Sequence, residues 1–313
     1  MIYILSCEKI ENGGGIYSYQ LSEKGVLNKH AYFPCDRPMY AVRCKRGLCV
    51  LLRAPFSNSE QSGYFYIDEF LQSPSEIKNA KGVVACHLCV DESDVYIVNY
   101  LSGNVVKNGE IICNRQGKGV HPLRQTQPHT HFITKTSDGF FAVCDLGTDT
   151  LAFYDSNLTL ISEENVPSGY GIRHLAFSKT ENYIYAINEL VPSISVFSYD
   201  KDKITLLNTI KIPCKNEKAN GAAIRLSDNG EILYVSLREE NVICAFKVNG
   251  DSLTLLKSAD CGGDSPRDFD LVNDKIIVCN EKSENVVVFK LENGLISKKL
   301  YKLCLKNSLC IVK

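Results

Sequence analysis

The sequence predicts an all-β fold: a single domain over residues 1–313, built as a seven-bladed β-propeller of four-stranded antiparallel blades. Three observations predict it. A cassette of apolar strand, turn, second apolar strand and third strand recurs, with clear copies starting at His131, His174 and Ala222, which are 43 and 48 residues apart. Aligned without gaps, Asp145, Asn188 and Ser236 each fall fourteen residues into their copies. Six copies recur along the chain, and a seventh is split between its two ends. A fixed period of this length, in strand pattern throughout, marks a propeller.

The elements follow in order. The first cassette has no inner strand of its own and starts directly on IYILSC, followed by GIYSYQL and NKHAYFP. Six inner strands begin near Met39, His87, His131, His174, Ala222 and Arg267. Their second strands read LCVLLR, VYIVNY, FFAVCD, YIYAIN, ILYVSL and KIIVCN, rich in the branched and aromatic residues that suit a pleated surface. Turns such as Ser137-Asp138-Gly139 and Ser227-Asp228-Asn229-Gly230 join them. Third strands are TLAFY, SISVF, VICAF and VVVFK, and fourth strands follow DKDK and NGD turns, as in ITLLNTIKI and LTLLKSA. The segment 308–313 has inner-strand character and no neighbour in sequence. Docked as the missing strand of the first blade, it closes the ring and removes an exposed edge.

Composition bounds the function. The 313 residues could form two domains by length alone, but one closed ring is one domain. A net charge of −1 gives no general attraction for nucleic acid or an anionic membrane. The short apolar run at the N-terminus and the absence of any stretch of ~20 apolar residues lead us to expect a cytoplasmic protein without a membrane span. Fourteen cysteines, most of them inside apolar strands, are expected as free thiols. Cys86 and Cys89 have C-x-x-C spacing, but strand alternation is expected to send them to opposite faces.

Propeller geometry then selects residues. The first two strands of a blade form a hairpin, so the start of one lies beside the end of the other. In register, this gathers His87, His131, Arg173, His174, Arg267, Asp145, Asn188, Glu189 and Arg238 at one mouth of the central channel. Asp145 also has the character of a turn former, and His174 could point away from the channel. Arg173 and Glu189 face each other across one hairpin and are expected to pair. Guanidiniums supply forked donors for an anion. A histidine titrating near neutrality beside them, His131, would supply acid–base capacity. His129 and His131 share a face, but no third ligand is spaced to complete a metal site.

At these residues the chain resembles the seven-bladed propeller 6-phosphogluconolactonases. The matching strings are PHTHFITKTSDGFFAVCDLGTD (128–149), SGYGIRHLAFSKTENYIYAINELVPSISVFSY (168–199), AAIRLSDNGEILYVSLREENVICAF (222–246), GGDSPRDFDL (262–271) and NEKSENVVVF (280–289), with a weaker match at 87–105. That family is similar in turn to the fungal propeller enzyme that lactonises carboxy-muconate. The resemblance implies catalytic roles for His131, Arg173, Glu189 and Arg238, and substrate-binding roles among His87, Asp145, His174, Asn188 and Arg267. It departs where Ile172 replaces the usual proline of G-P-R-H and where Arg53 stands in place of Asn or Glu.

The implied activity is hydrolysis of a sugar δ-lactone, 6-phosphoglucono-1,5-lactone in the first place, as in the pentose phosphate pathway of carbohydrate metabolism. The implied partner is that small phosphorylated lactone, with no cofactor and no metal. His131 would move the proton, with Glu189 as helper or base, and Arg173 or Arg238 would hold the oxyanion. Arg267 and Arg53 are candidates for a phosphate. Three alternatives stand beside this reading: another lactone- or muconate-type enzyme, a calcium-type lactonase (which the arginines oppose), and a non-catalytic scaffold for protein partners.

Overall fold

The computed structural model describes residues 1–200 and 203–313, so Lys201 and Asp202 of the expected DKDK turn lie outside the described residues. The described residues form seven four-stranded antiparallel sheets. Blade one combines Ile2–Ser6, Gly15–Leu21 and Leu27–Pro34 with Ser308–Val312 as its inner strand. Tyr3 faces Val312, Ile4 faces Ile311 and Leu5 faces Cys310, so the two ends of the chain close the ring as the sequence predicts. The other inner strands are Pro38–Cys44, Ala85–Asp91, Thr130–Lys135, Ile172–Phe177, Asn220–Leu226 and Pro266–Val272, in blades two to seven.

Alternation explains how a strand serves two interfaces at once. In Ile232–Arg238, Leu233, Val235 and Leu237 pack toward blade five, while Tyr234 packs on the other side with Phe269 and Val287 of blade seven. The described apolar core is accordingly divided into seven clusters, one for each interface between neighbouring blades. The cluster of Ile2, Ile4, Ile277, Val286 and Val288 joins blade seven to blade one. Each fully buried aliphatic side chain contributes about 1.5–3 kcal/mol, so every blade is held by both neighbours.

One irregularity recurs in all seven blades and builds the site. The pairing between first and second strands slips near the start of the inner strand, passing over Met39, Cys86, His131, Arg173 and Arg267 in five blades. It passes over Leu309 in blade one, and over Ala222 and Ala223 in blade six. A β-bulge leaves such a residue without a cross-strand partner and re-aims its side chain. Six of these positions (Leu309, Met39, Cys86, His131, Arg173, Arg267) border one small cavity in the channel. The bulge also corrects the expected alternation at Cys86 and Cys89. With Cys86 itself the bulged residue, both pack against the core between blades three and four, where burial raises each thiol to about 12.

Candidate active site

Two backbone positions per blade supply the mouth of the channel. The first is the bulge. The second is the residue directly after the second strand, whose N–H donates to the carbonyl of the residue two before the bulge. Glu189 bonds Gly171 in this way (2.7 Å), Tyr100 bonds Val84, Leu146 bonds His129, Glu281 bonds Ser265 and Arg53 bonds Arg37. Gly171 adopts φ +66°, a left-handed conformation that favours glycine, just ahead of Arg173. Its N–H is held by Asp149 Oδ1 at 2.6 Å. The turn that presents Arg173 is thus fixed from both sides.

Glu189 is the centre of the cluster. It is 3% exposed. Its Oε2 accepts from Arg173 Nε at 2.9 Å and lies 3.2 Å from Arg238 Nη2, while Oε1 accepts from Arg124 Nη2 at 2.5 Å. His131 Nε2 stands 4.0 Å from Oε2, beyond hydrogen-bond reach, and His131 Nδ1 is buried without a protein partner. Arg238 Nε is likewise a buried donor without a protein partner. Arg173 Nη1 donates to Ala222 O at 2.5 Å. The expected Arg173–Glu189 pair across the hairpin is therefore present, and two further guanidiniums join it.

Burial and charge set the protonation states. Burial by itself would raise the Glu189 carboxyl, but Arg238, Arg173 and Arg124 outweigh it and hold the group well below the usual carboxylate range. Burial, reinforced by the Arg173 charge, pushes His131 well below the ordinary imidazole value. This corrects the expectation of a histidine titrating near neutrality: His131 is a neutral imidazole there. Burial and the Arg267 charge push Arg173 down to about 9, so it remains a cation at neutral pH. Burial lowers Arg238 against the pull of Glu189.

The remaining sequence-selected residues divide into three groups. Arg267 reaches the same small cavity as His131 and Arg173 and lies 3.6 Å from Glu281. His87 and His174 occupy the next layer along the channel. His87 lies tilted between Tyr40 and Phe132 at 4.2 Å from each, and His174 touches Arg173 Nη1 with Nε2 at 3.2 Å. Asp145 and Asn188, expected at the opening, are not brought there. Both are fully buried: Asp145 accepts from Arg115 and from the N–H groups of His129 and Gly147, and Asn188 donates to Ser193 and Ser195. Each is the last paired residue of its second strand, so alternation turns it into the blade, and in blade five it turns the next residue, Glu189, to the arginine cluster.

His129 does not join His131 either. Its ring stacks on Tyr100 at 4.3 Å, with Nδ1 2.8 Å from Tyr100 O. Among the described residues, no group of three or more His, Cys, Asp or Glu is placed to hold a metal ion. A larger cavity of about 500 Å³ opens at the opposite end of the channel. There Arg225 is matched by Asp268 at 2.8 Å and Lys313 by Asp270 at 3.3 Å, while Arg43 donates to the carbonyls of Lys313 and Met1. At the Glu189 end Arg124, Arg173, Arg238 and Arg267 face Glu189 and Glu281.

Three residues of this site escaped the sequence reading. Arg124 comes from the long connection between blades three and four, in a turn held by His121 Nδ1 and by fully buried Gln125. Arg124 also donates to the Tyr100 hydroxyl at 3.1 Å, and Tyr100 stands edge-on to His131 at 5.7 Å. Tyr100 and Glu281 occupy the repeat position of Glu189, so the register alone could have found them. Nothing in the repeat marks Arg124, because it belongs to an insertion. No helix among the described residues is long and apolar enough to cross a membrane.

Comparison with known proteins agrees with the fold. The family model described as lactonase, seven-bladed beta-propeller, matches residues 1–312. YwcC of Lactococcus lactis is 31% identical over 318 residues, covering 90% of this chain and 92% of its own. A crystal structure from Lactobacillus plantarum is similar with a TM-score of 0.90 at 27% identity, covering 99% of this chain and 98% of that one. The periplasmic gluconolactonase PpgL of Pseudomonas aeruginosa is similar with a TM-score of 0.88 at 20% identity, covering 99% and 98%. At that identity the likeness to PpgL is one of fold.

Proposed function

Because the chain belongs to the seven-bladed β-propeller lactonase family, we propose that it hydrolyses a sugar δ-lactone, with 6-phosphoglucono-1,5-lactone as the substrate. The observation that carries this reading is the Glu189 carboxylate held by three guanidiniums beside the neutral imidazole of His131. Four arginines gather at the mouth around Glu189 and Glu281, and such a cluster suits a phosphate dianion.

Each group has a place in the reaction. Glu189 has both oxygens occupied by arginines, so it serves as the anchor that fixes them rather than as the base. His131, a neutral imidazole, accepts a proton from water as the water oxygen bonds the lactone carbonyl carbon. Arg173 and Arg238 receive the developing oxyanion, and such donors are often worth about 3–4 kcal/mol each. The imidazolium returns its proton to the ring oxygen as the carbon–oxygen bond breaks, and the product acid then ionises. Arg267 and exposed Arg53 meet the phosphate. Proton transfer at His131 needs no cofactor.

The test is hydrolysis of enzymatically generated 6-phosphogluconolactone above its spontaneous opening, alongside unphosphorylated gluconolactone and a muconate-type lactone. Arg173→Ala and His131→Ala should each lose the catalysed rate, and Arg267→Ala should raise KM for the phosphorylated lactone alone. Undiminished activity in both of the first two variants sinks the assignment.

A further inference from the structure

The dipeptide Arg173-His174 should send its side chains to opposite faces of a strand. The bulge between Ile172 and His174 prevents that and leaves the two in contact. Arginine has five N–H donors and no acceptor. One, on Nε, is used by Glu189 at 2.9 Å, and Nη1 meets Ala222 O at 2.5 Å and His174 Nε2 at 3.2 Å. That accounts for three of the five and leaves the two on Nη2.

We propose that His174 is a positioning residue for Arg173: its unprotonated Nε2 accepts the second Nη1 hydrogen and so turns the Nη2 pair toward the ligand. The contact requires the tautomer with its proton on Nδ1, since two donors cannot bond each other. His174 is buried, and its ring is held by Phe132 and His131 at 5.2 Å and by His87 at 5.4 Å. Such a ring cannot swing away from Arg173 without moving the aromatic layer beneath the site. Its consequence for turnover rests on the lactonase reading, whereas the contact itself does not.

The experiment has two arms. In full-length protein with 15N-labelled histidine, long-range proton–nitrogen spectra are assigned by the loss of one ring in His174→Phe. The expected result is an unprotonated Nε2 and a protonated Nδ1; a protonated Nε2 overturns the proposal, whatever the protein hydrolyses. In the kinetic arm, His174→Phe should lower kcat on the order of 10–100-fold with KM within about twofold. His174→Gln, whose carbonyl oxygen reaches the place of Nε2, should recover most of it. Wild-type turnover in the Phe variant, or equal losses in Phe and Gln, overturns the positioning role. If wild-type protein hydrolyses no lactone, that reading falls by itself, and the same ordering is sought in calorimetric affinity for 6-phosphogluconate. If the Phe variant does not fold, the ring is assigned with His174→Gln instead.

Discussion

Arg124 donates to Glu189 Oε1 from the side that Arg173 and Arg238 leave open, so a residue from an inter-blade loop completes the enclosure of a carboxylate built by blades five and six. The side chain of the loop residue is 40% exposed while that of its partner is 4% exposed. The cluster is therefore buried at Glu189 and open to solvent at Arg124.

Replacing the anchor has the largest effect. Glu189→Gln leaves Arg173 and Arg238 buried without their counter-charge, which should cost about 3–5 kcal/mol of stability. Turnover should vanish with it. Urea unfolding checks the first effect and lactone hydrolysis the second; unchanged stability would show that Glu189 does not hold the arginines.

Arg124→Ala separates the solvent-facing contact from the buried ones. Its exposure limits the stability loss to about 1 kcal/mol. Freeing Oε1 and the Tyr100 hydroxyl should lower kcat/KM on the order of tenfold. The melting temperature and kcat/KM, measured on one preparation, should thus move unequally.

The pH–rate profile follows from the state of His131. Burial pushes its pKa down, so its proton-accepting form persists from alkaline pH through neutrality and is lost only in acid. After subtraction of spontaneous opening, kcat/KM should be flat from about pH 6.5 until Arg173, pushed down to about 9, begins to lose its charge. A rate that halves near neutrality would assign the base to another group.

Acid should unfold the protein early. His87, His131 and His174 are all held well below the ordinary value by burial, and in the unfolded chain they titrate near ~6.5. Below that pH the unfolded chain binds more protons, so stability is highest above ~6.5 and falls as pH drops toward the folded values. Each histidine contributes up to about 1.4 kcal/mol per pH unit. Glu189 adds to this further down: its folded pKa is depressed, so its stabilisation is present above the usual glutamate range and lost as pH falls through the folded value. Denaturant midpoints at a series of pH values should decline from pH 7 to 5, and a flat series would contradict the buried neutral histidines.

Removing residues 308–313 deletes the inner strand of blade one and opens the ring on both sides of it. The truncated chain should show no cooperative thermal transition by circular dichroism. A shift of only a few degrees would mean that six blades close without it.

The strand order was legible because each blade repeats one alternating pattern, and the orphan strand Ser308–Val312 could only be placed by the gap in the first cassette. Glu189 was legible by the same register, and Arg173 and His131 by their place at the head of inner strands. Asp145 and Asn188 were drawn to the mouth by a register read one residue too widely, where a period of two decides which neighbour faces the channel.

The chain's pattern alone thus determined the seven-bladed ring and the strand ends from which a site could be made, since apolar alternation and turn residues are local properties. Only the folded molecule decided which side chains meet. Bulges re-aimed Arg173 and kept His174 against it, a loop of no repeating character delivered Arg124, and enclosure between charged neighbours fixed His131 as neutral and Glu189 as an anion. Those outcomes depend on distances across blades and on exclusion of water, and neither is written in the spacing of residues along one strand.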